Sequence, residues 1–244
     1  MSDGPAFRRA IILRGVAGRV DADLEDDFHS FGLSMSHDGL AITRVAARAS
    51  RYPWATCCEA PAALAALEGA PIAANPSWLF RHADPRVHCT HLFELAALAS
   101  AHAARGAGQR LFELEVSDPE DGSRTARLFV DGILAVDWRL RGDAIVSPAS
   151  EAGRTLRDFT SRELVQMDAE RAEQLLLLRR AAQTSRGRQI GVDAFASAAA
   201  MRGPAHCYSL QPRISLRATR CFGSVRDWPD RLSLRLAVTD TPHL

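Results

Sequence analysis

The sequence predicts an α+β fold of antiparallel strands and helices, arranged as two β-then-α units in one compact domain spanning residues 1–244. β-Branched and apolar runs alternate with Ala- and Leu-rich helical patterns in the order strands, helices, strands, helices, strands. Of the 244 residues, 47% are hydrophobic and 24% are charged, and this composition supports a sizeable buried core.

The opening third predicts an antiparallel meander. Residues 8–20, 28–35 and 40–49 are rich in the residue types that strands favour. His37-Asp38-Gly39 separates the last two, and an Asp-Gly pair tolerates the positive φ of a hairpin turn.

Helical patterns follow the meander. Pro61 and Gly69 bracket residues 62–68, because Pro suits a first turn and Gly a helix end. Thr90 is a predicted N-cap for a helix over residues 90–104.

The second half repeats this order. Residues 111–116 and 124–140 predict strands, and the clearest helix of the chain follows them. A capping box of Thr160 and Glu163 predicts where that helix begins, and Gly187 where it ends.

The C-terminal part is predicted as a short helix over residues 192–201 and strand-like structure over residues 214–236. A His-Cys-x-x-Leu pattern at His88 recurs at His206, which suggests a weak internal duplication of residues 8–106 and 109–236.

Composition excludes several kinds of function. The sequence contains no lysine, and all 30 basic residues are Arg. A Schiff base to a carbonyl substrate, a pyridoxal-phosphate anchor and a Walker-type phosphate lysine are therefore excluded.

Charge and cysteine usage indicate a cytoplasmic protein. The net charge of +1 and the dispersed charges predict no nucleic-acid partner. The five cysteines form no CxxC motif, which indicates free thiols in a reducing compartment. No signal-like start and no apolar run of membrane-spanning length occurs, so we expect no membrane partner.

The densest polar cluster of the sequence is Glu25-Asp26-Asp27-Phe28-His29. On a strand, Asp27 and His29 would share a face, and a carboxylate beside an imidazole orients a general base. The alternative is a solvated strand end.

A second cluster surrounds the predicted start of the helix at Thr90. His91 and Glu94 would lie one turn apart and could form a hydrogen-bonded pair. The free N–H groups of a helix N-terminus also suit an anion such as a phenolate. The alternative is that Thr90 only caps the helix and His91 only covers its first turn.

Other side chains with suitable chemistry are dispersed. Tyr52 and Tyr208 are the only tyrosines, and each could serve as an acid or hold a substrate oxygen, or be a core aromatic. Trp54 follows Tyr52 closely, and Arg220 and Arg226 could clamp an anion or cover an exposed strand.

Metal binding is a weaker interpretation of the same groups. His29, His91, Asp27 and Cys89 offer donor atoms but lack a recognised ligand spacing. No metal or other cofactor is therefore predicted.

Several ordered segments resemble a bacterial family catalogued as a domain of unknown function. The resemblance spans almost the whole chain and rests on Leu24–His29, His37–Gly39, Arg51–Trp54, Cys89–Leu92, Gly187-Arg188, Cys207–Ser209 with Gln211-Pro212, and Gly223–Asp227. It implies aromatic-compound catabolism, in which some relatives resemble lyases that release formaldehyde from lignin-derived phenylcoumaran dimers.

Such a lyase needs no cofactor. It needs a base at a primary alcohol, a donor at the departing aryl oxygen and stabilisation of a phenolate. We assign the base to His29 oriented by Asp27, the donor to Tyr52 or Tyr208, and the phenolate to His91 at the helix N-terminus. The expected substrate-contacting residues are Thr90, Glu94, Trp54, Arg220 and Arg226.

Two alternative functions stay open. One is a non-enzymatic binding module for an aromatic acid or an acyl thioester. The other is a metal-dependent hydrolase or isomerase that uses His29, His91 and a carboxylate. A small aromatic molecule is the expected partner, and the sequence leaves both a monomer and a homodimer open.

Overall fold

A computed structural model describes residues 4–106, 108–201 and 207–240. Its centre is one antiparallel sheet of eight strands in the order β4-β3-β2-β1-β5-β6-β7-β8. The strands are β1 (Ala6–Val16), β2 (Arg19–Asp26), β3 (Ser30–His37), β4 (Ile42–Arg51), β5 (Gly108–Ser117), β6 (Ser123–Val130), β7 (Ile133–Arg141) and β8 (Ala144–Ser147).

The sheet consists of two four-stranded meanders that meet where β1 pairs with β5. In this seam, Ala6 pairs with Ser117 and Gly15 with Gly108. Each meander is followed in sequence by a long helix. The predicted α+β class with two β-then-α units is therefore confirmed.

Seven α-helices lie among the described residues. They are α1 (Leu79–His82), α2 (Thr90–Arg105), α3 (Ser161–Leu164), α4 (Ala169–Thr184), α5 (Arg186–Ile190), α6 (Pro212–Ser215) and α7 (Arg231–Thr239). Runs of 3₁₀ turns lie at Ala55–Leu67, Pro76–Trp78, Pro85–Val87, Val192–Ala194, Ala198–Met201 and Tyr208–Leu210. None of these described helices has the length and apolarity needed to cross a membrane.

Helices α2 and α4 cover one face of the sheet, and α7 covers the centre of the other. Along β1, Phe7, Ile11 and Leu13 join the core beneath α2 and α4. Ala10 and Ile12 point the opposite way and pack with residues of α7. The central strand is therefore buried on both faces, which explains the unbroken apolar run at residues 10–13 in its middle.

Several predicted elements need correction. Residues 8–20 contain a hairpin, because Gly18 with φ 73° allows a turn between β1 and β2. The predicted helix at 62–68 is the second part of the 3₁₀ run Ala55–Leu67, which contains Pro61. Pro61 lacks the N–H that an α-helix interior needs.

The start of the longest helix in the second half was also predicted wrongly. Thr160 accepts a hydrogen bond from the Glu163 N–H, but this cap starts only the four-residue α3. Helix α4 begins at Ala169, where the Asp168 side chain accepts from Glu170 and Arg171. Thr160 and Asp168 therefore cap two successive helices, and the chain leaves the helical conformation between them.

The strand-like interpretation of residues 214–236 is wrong. This segment contains part of α6, an irregular stretch, and the first six residues of α7. Helix α7 is amphipathic, with Leu234 and Val238 buried one turn apart. The short apolar run of this segment predicts a strand, but the spacing of its buried residues is helical.

Candidate functional site

The candidate site is a buried polar cluster between the sheet and the two long helices, and we call it the Asp–His cluster. It consists of Arg9, Asp26, His29, His91 and Glu94. Their relative exposures are 0%, 0%, 7%, 6% and 1%, in that order. Burial of so many ionisable groups is costly unless they are paired, so their partners determine what the cluster can do.

Asp26 is the centre of this cluster. Its Oδ2 accepts two hydrogen bonds from Arg9, from Nε at 3.0 Å and from a terminal nitrogen at 2.7 Å. Its Oδ1 accepts from the backbone N–H groups of Phe28 and His29, both at 2.8 Å. Burial alone would raise the pKa of Asp26, but His29 and Arg9 outweigh it and hold the pKa well below its usual value. Asp26 is therefore a carboxylate.

His29 is oriented by this carboxylate. Its Nδ1 lies 3.0 Å from Asp26 Oδ1. Because an ionised carboxylate can only accept, Nδ1 carries the proton and Nε2 of neutral His29 carries the lone pair. Among the described residues, Nε2 makes no hydrogen bond. The His29 side chain retains 9% exposure, so it combines the tautomer of a general base with limited access.

His91 lies against His29. The two ring centroids are 4.0 Å apart, with 33° between the ring planes. Neither ring nitrogen of His91 has a hydrogen-bond partner among the described residues, although both are shielded from solvent. Burial is the main cause that lowers the pKa of His91 well below its usual range. His91 is therefore neutral, with one donor and one acceptor unsatisfied.

Glu94 closes the cluster from α2. One of its oxygens lies 3.4 Å from an Arg9 nitrogen, while Oε1 has no hydrogen-bond partner among the described residues. Burial raises the pKa of Glu94, and the charge of Arg9 opposes that rise. Arg9 is thus shared between two carboxyl groups, and Asp26 is the more closely bonded.

The structure brings together some of the predicted residues and corrects their partners. His29 and His91 meet, but Asp26 rather than Asp27 contacts His29. The reason is that β2 ends at Asp26 and the chain bends, so strand alternation stops there. Asp27 instead accepts from Arg188 at 2.8 Å and from the Arg8 N–H at 3.2 Å.

The predicted pairing of His91 with Glu94 is also wrong. Glu94 turns to Arg9, and both nitrogens of His91 are left without a partner among the described residues. Thr90 is the first residue of α2 and not its N-cap, which is Cys89.

The two tyrosines lie outside the Asp–His cluster. The Tyr208 hydroxyl donates to Glu59 at 3.4 Å. Arg51 of β4 pairs with Ser30 of β3, and Ser30 directly follows His29. Tyr52 is the residue after Arg51, so it lies at the strand end that neighbours His29. Burial and nearby Cys58 raise the pKa of the Tyr52 hydroxyl.

The predicted anion clamp and its aromatic neighbour have structural contacts. Arg220 donates to the Pro53 carbonyl at 2.6 Å, pairs with Asp193 at 2.6 Å and lies 5.8 Å from the Trp54 ring centroid. Arg226 is exposed and donates to the Gly223 and Val225 carbonyls of its own loop. Of the echoed His-Cys pattern, His206 lies outside the described residues.

Sequence reasoning missed Arg9 and Asp26 as members of the site. A signal for Arg9 was available, because it alternates with Phe7 and Ile11 on one face of an apolar strand. A charged residue on such a face needs a buried partner. Asp26 could not be separated from Asp27 without the position of the bend.

The Asp–His cluster also meets a geometric condition for a metal site. Donor atoms of Asp26, His29 and His91 all lie within 4.8 Å of one another. However, both Asp26 oxygens are occupied by Arg9 and by N–H donors. A cation at this position would therefore have only two imidazoles as ligands unless Asp26 released Arg9. The arrangement fits an oriented base better than a metal site.

No family model, curated protein or solved structure matches the chain.

Proposed function

We propose that this protein is a cofactor-independent enzyme that acts on a small aromatic substrate by acid–base catalysis, with His29 as the base. The contact between Asp26 Oδ1 and His29 Nδ1 at 3.0 Å carries the proposal. It fixes the basic nitrogen at Nε2 and stabilises the imidazolium that forms when His29 takes a proton.

The aromatic character of the substrate is supported by the rings around the base. Phe31 lies 5.2 Å from His29 and 6.1 Å from His91, measured between ring centroids. Phe28 lies 6.2 Å from His29 on another side. Flat aromatic groups favour such offset and edge-on neighbours.

The reaction we propose is release of formaldehyde from a phenylcoumaran dimer, as the family resemblance implies. The substrate phenolate pushes electrons through its ring, the aryl ether bond breaks, and a quinone methide and an aryl oxide form. His29 Nε2 then removes the proton of the primary alcohol. The carbon–carbon bond breaks, formaldehyde leaves, and the electron pair forms the stilbene double bond and restores the phenolate.

The other roles follow from the donor groups that are left for the substrate. The aryl oxide needs a proton, and we assign its delivery to Tyr52 at the neighbouring strand end. The unsatisfied N–H of neutral His91 suits the phenolate oxygen of the substrate. The alcohol proton taken by His29 balances the proton given to the aryl oxide, so the overall reaction needs no external acid, base or oxidant.

The test is incubation of chelator-treated protein with a phenylcoumaran dimer, with formaldehyde and stilbene absorbance as readouts. We expect turnover in the wild type and a loss of about 10²-fold or more in His29→Gln. His82→Gln, which changes an exposed histidine, is the matched control. Unchanged turnover in His29→Gln would contradict the assignment.

A second candidate is a metal-dependent hydrolase or isomerase, which the clustered donors of Asp26, His29 and His91 favour. In that case, chelation abolishes activity and added Zn²⁺ restores it. Activity that survives chelation rules this candidate out.

A further inference from the structure

Arg180 of α4 has an unusual environment for an arginine that is partly buried. Among the described residues, its guanidinium makes no hydrogen bond or ion pair, and its Nε is shielded from solvent. The adjacent Arg179 differs, because it donates to the Phe159 carbonyl at 2.6 Å. A partly desolvated guanidinium without a partner is costly, so Arg180 is available for a ligand.

The helix geometry places Arg180 beside the Asp–His cluster. Thr184 lies one turn further along the same face of α4, and its hydroxyl accepts from Arg9 at 3.2 Å. The same hydroxyl donates to the Arg180 carbonyl at 2.9 Å. Burial is the main cause that lowers the pKa of His91, and the positive charge of Arg180 also lowers it. Arg180 therefore lies one helical turn from the residue of α4 that contacts Arg9.

The charges around this position favour an anion. Arg9, Arg179 and Arg180 act on Glu94, whose raised pKa reflects burial above all. Asp26 is the only other carboxylate of the Asp–His cluster, and Arg9 neutralises it. The unpartnered and 6% exposed His91 lies in the first turn of α2, where the helix dipole adds positive potential.

We propose that Arg180 binds the carboxylate of an aromatic acid beside the Asp–His cluster. A guanidinium offers two parallel N–H groups that match the two oxygens of a planar carboxylate. The rings of His29, His91 and Phe31 provide the flat surface for the attached aromatic ring. This inference deepens the proposed function and rests on it for the identity of the site, but it assigns the anion to Arg180 and not to Arg220 or Arg226.

The test is isothermal titration of the full-length protein with benzoate, with benzamide as the neutral isostere and inorganic phosphate as a tetrahedral anion. We expect benzoate to bind at least about tenfold more tightly than either comparison ligand, a difference of about 1.4 kcal/mol. Arg180→Gln should lose that preference. Arg139→Gln, an exposed strand arginine, should retain it.

Arg180→Lys keeps the charge but loses the two-pronged donor, so we expect intermediate benzoate affinity. This variant also decides the question if Arg180→Gln does not fold, as monitored by circular dichroism. Benzoate affinity that is equal in the wild type and Arg180→Gln, or absent in the wild type, would overturn the inference. An equal loss in Arg139→Gln would do the same.

Benzoate undergoes no turnover, so this result is separable from the lyase test. Benzoate binding through Arg180 without any turnover of dimers would remove the proposed reaction and leave the carboxylate site. Turnover with no benzoate binding would remove the carboxylate site alone.

Discussion

Arg9 and Asp26 are directly opposite each other on β1 and β2, and both are fully buried. Arg9 donates to Asp26 Oδ2 through two nitrogens, at 3.0 and 2.7 Å. The Arg9 side chain also reaches Glu94 of α2 and Thr184 of α4. One cross-strand ion pair therefore connects the sheet to both long helices at the position of His29.

We expect Arg9→Met to lower the free energy of unfolding by about 3–5 kcal/mol, because it leaves the Asp26 charge buried without its main partner. Urea denaturation measures this change. Arg127→Met is the matched control, since Arg127 is opposite Asp137 on β6 and β7, but that pair is exposed. We expect the control to cost no more than about 1 kcal/mol.

Asp26→Asn should reduce turnover far more than Asp27→Asn. An amide at position 26 can donate to His29 Nδ1 and so favour the tautomer with its proton on Nε2, which cannot act as a base. We expect a loss of about 10²- to 10⁴-fold in kcat for Asp26→Asn. Asp27 binds Arg188 instead, so its variant should retain turnover within about fivefold. Equal losses would contradict the assignment of Asp26 as the orienting group.

His91 should make the protein less stable as pH falls. Its folded pKa lies well below 6.5, mainly through burial. The unfolded chain therefore binds more protons at this site below about pH 6.5, and stability falls there by up to about 1.4 kcal/mol per pH unit. Urea midpoints at pH 7.5 and 5.5 measure this effect.

His91→Phe should reduce this pH dependence, whereas His82→Gln, at an exposed site, should leave it unchanged. Burial also lowers the pKa of His88 and His102, so part of the dependence will remain. A slope identical to that of the wild type would contradict a lowered folded pKa for His91.

Gly187→Ala should disturb the packing of Phe28, which precedes His29 in the chain. A Cβ at Gly187 would lie 2.8 Å from the Phe28 ring, closer than carbon atoms allow. Phe28 precedes His29 and stacks on Phe7 at 6.1 Å between centroids, so it cannot retreat freely. We expect about 1–3 kcal/mol of destabilisation and reduced turnover. Gly4→Ala, with no atom within 4 Å of the new Cβ, is the control for thermal melting and turnover.

The fold class was predictable because period-two patterns and hairpin signals are local. The turn at Asp38 and Gly39 forms as expected, with Asp38 Oδ1 accepting from Leu40 and Ala41. The C-terminal elements were mispredicted because α7 is short and contacts the sheet through few residues. Such a helix is specified by tertiary packing more than by its own sequence signal.

The candidate site was only partly predictable. The types of side chain that meet, two histidines and a carboxylate, could be anticipated from two short polar clusters. Their exact partners could not, because the choice of Asp26 over Asp27 depends on a bend at the strand end. The choice of Arg180 depends on the placement of α2 and α4 on the same face of the sheet, which no local pattern encodes.

The seam between β1 and β5 has a consequence for how the protein becomes functional during folding. Each meander pairs neighbouring strands in sequence, whereas the seam joins residues 6–15 to residues 108–117. Closing that long loop is the slower step, so we expect the two halves to form before they join. His29 and His91 belong to the first half, but Thr184 and Arg180 belong to the second. Recovery of ligand binding during refolding should therefore lag behind recovery of secondary structure and report the final assembly step.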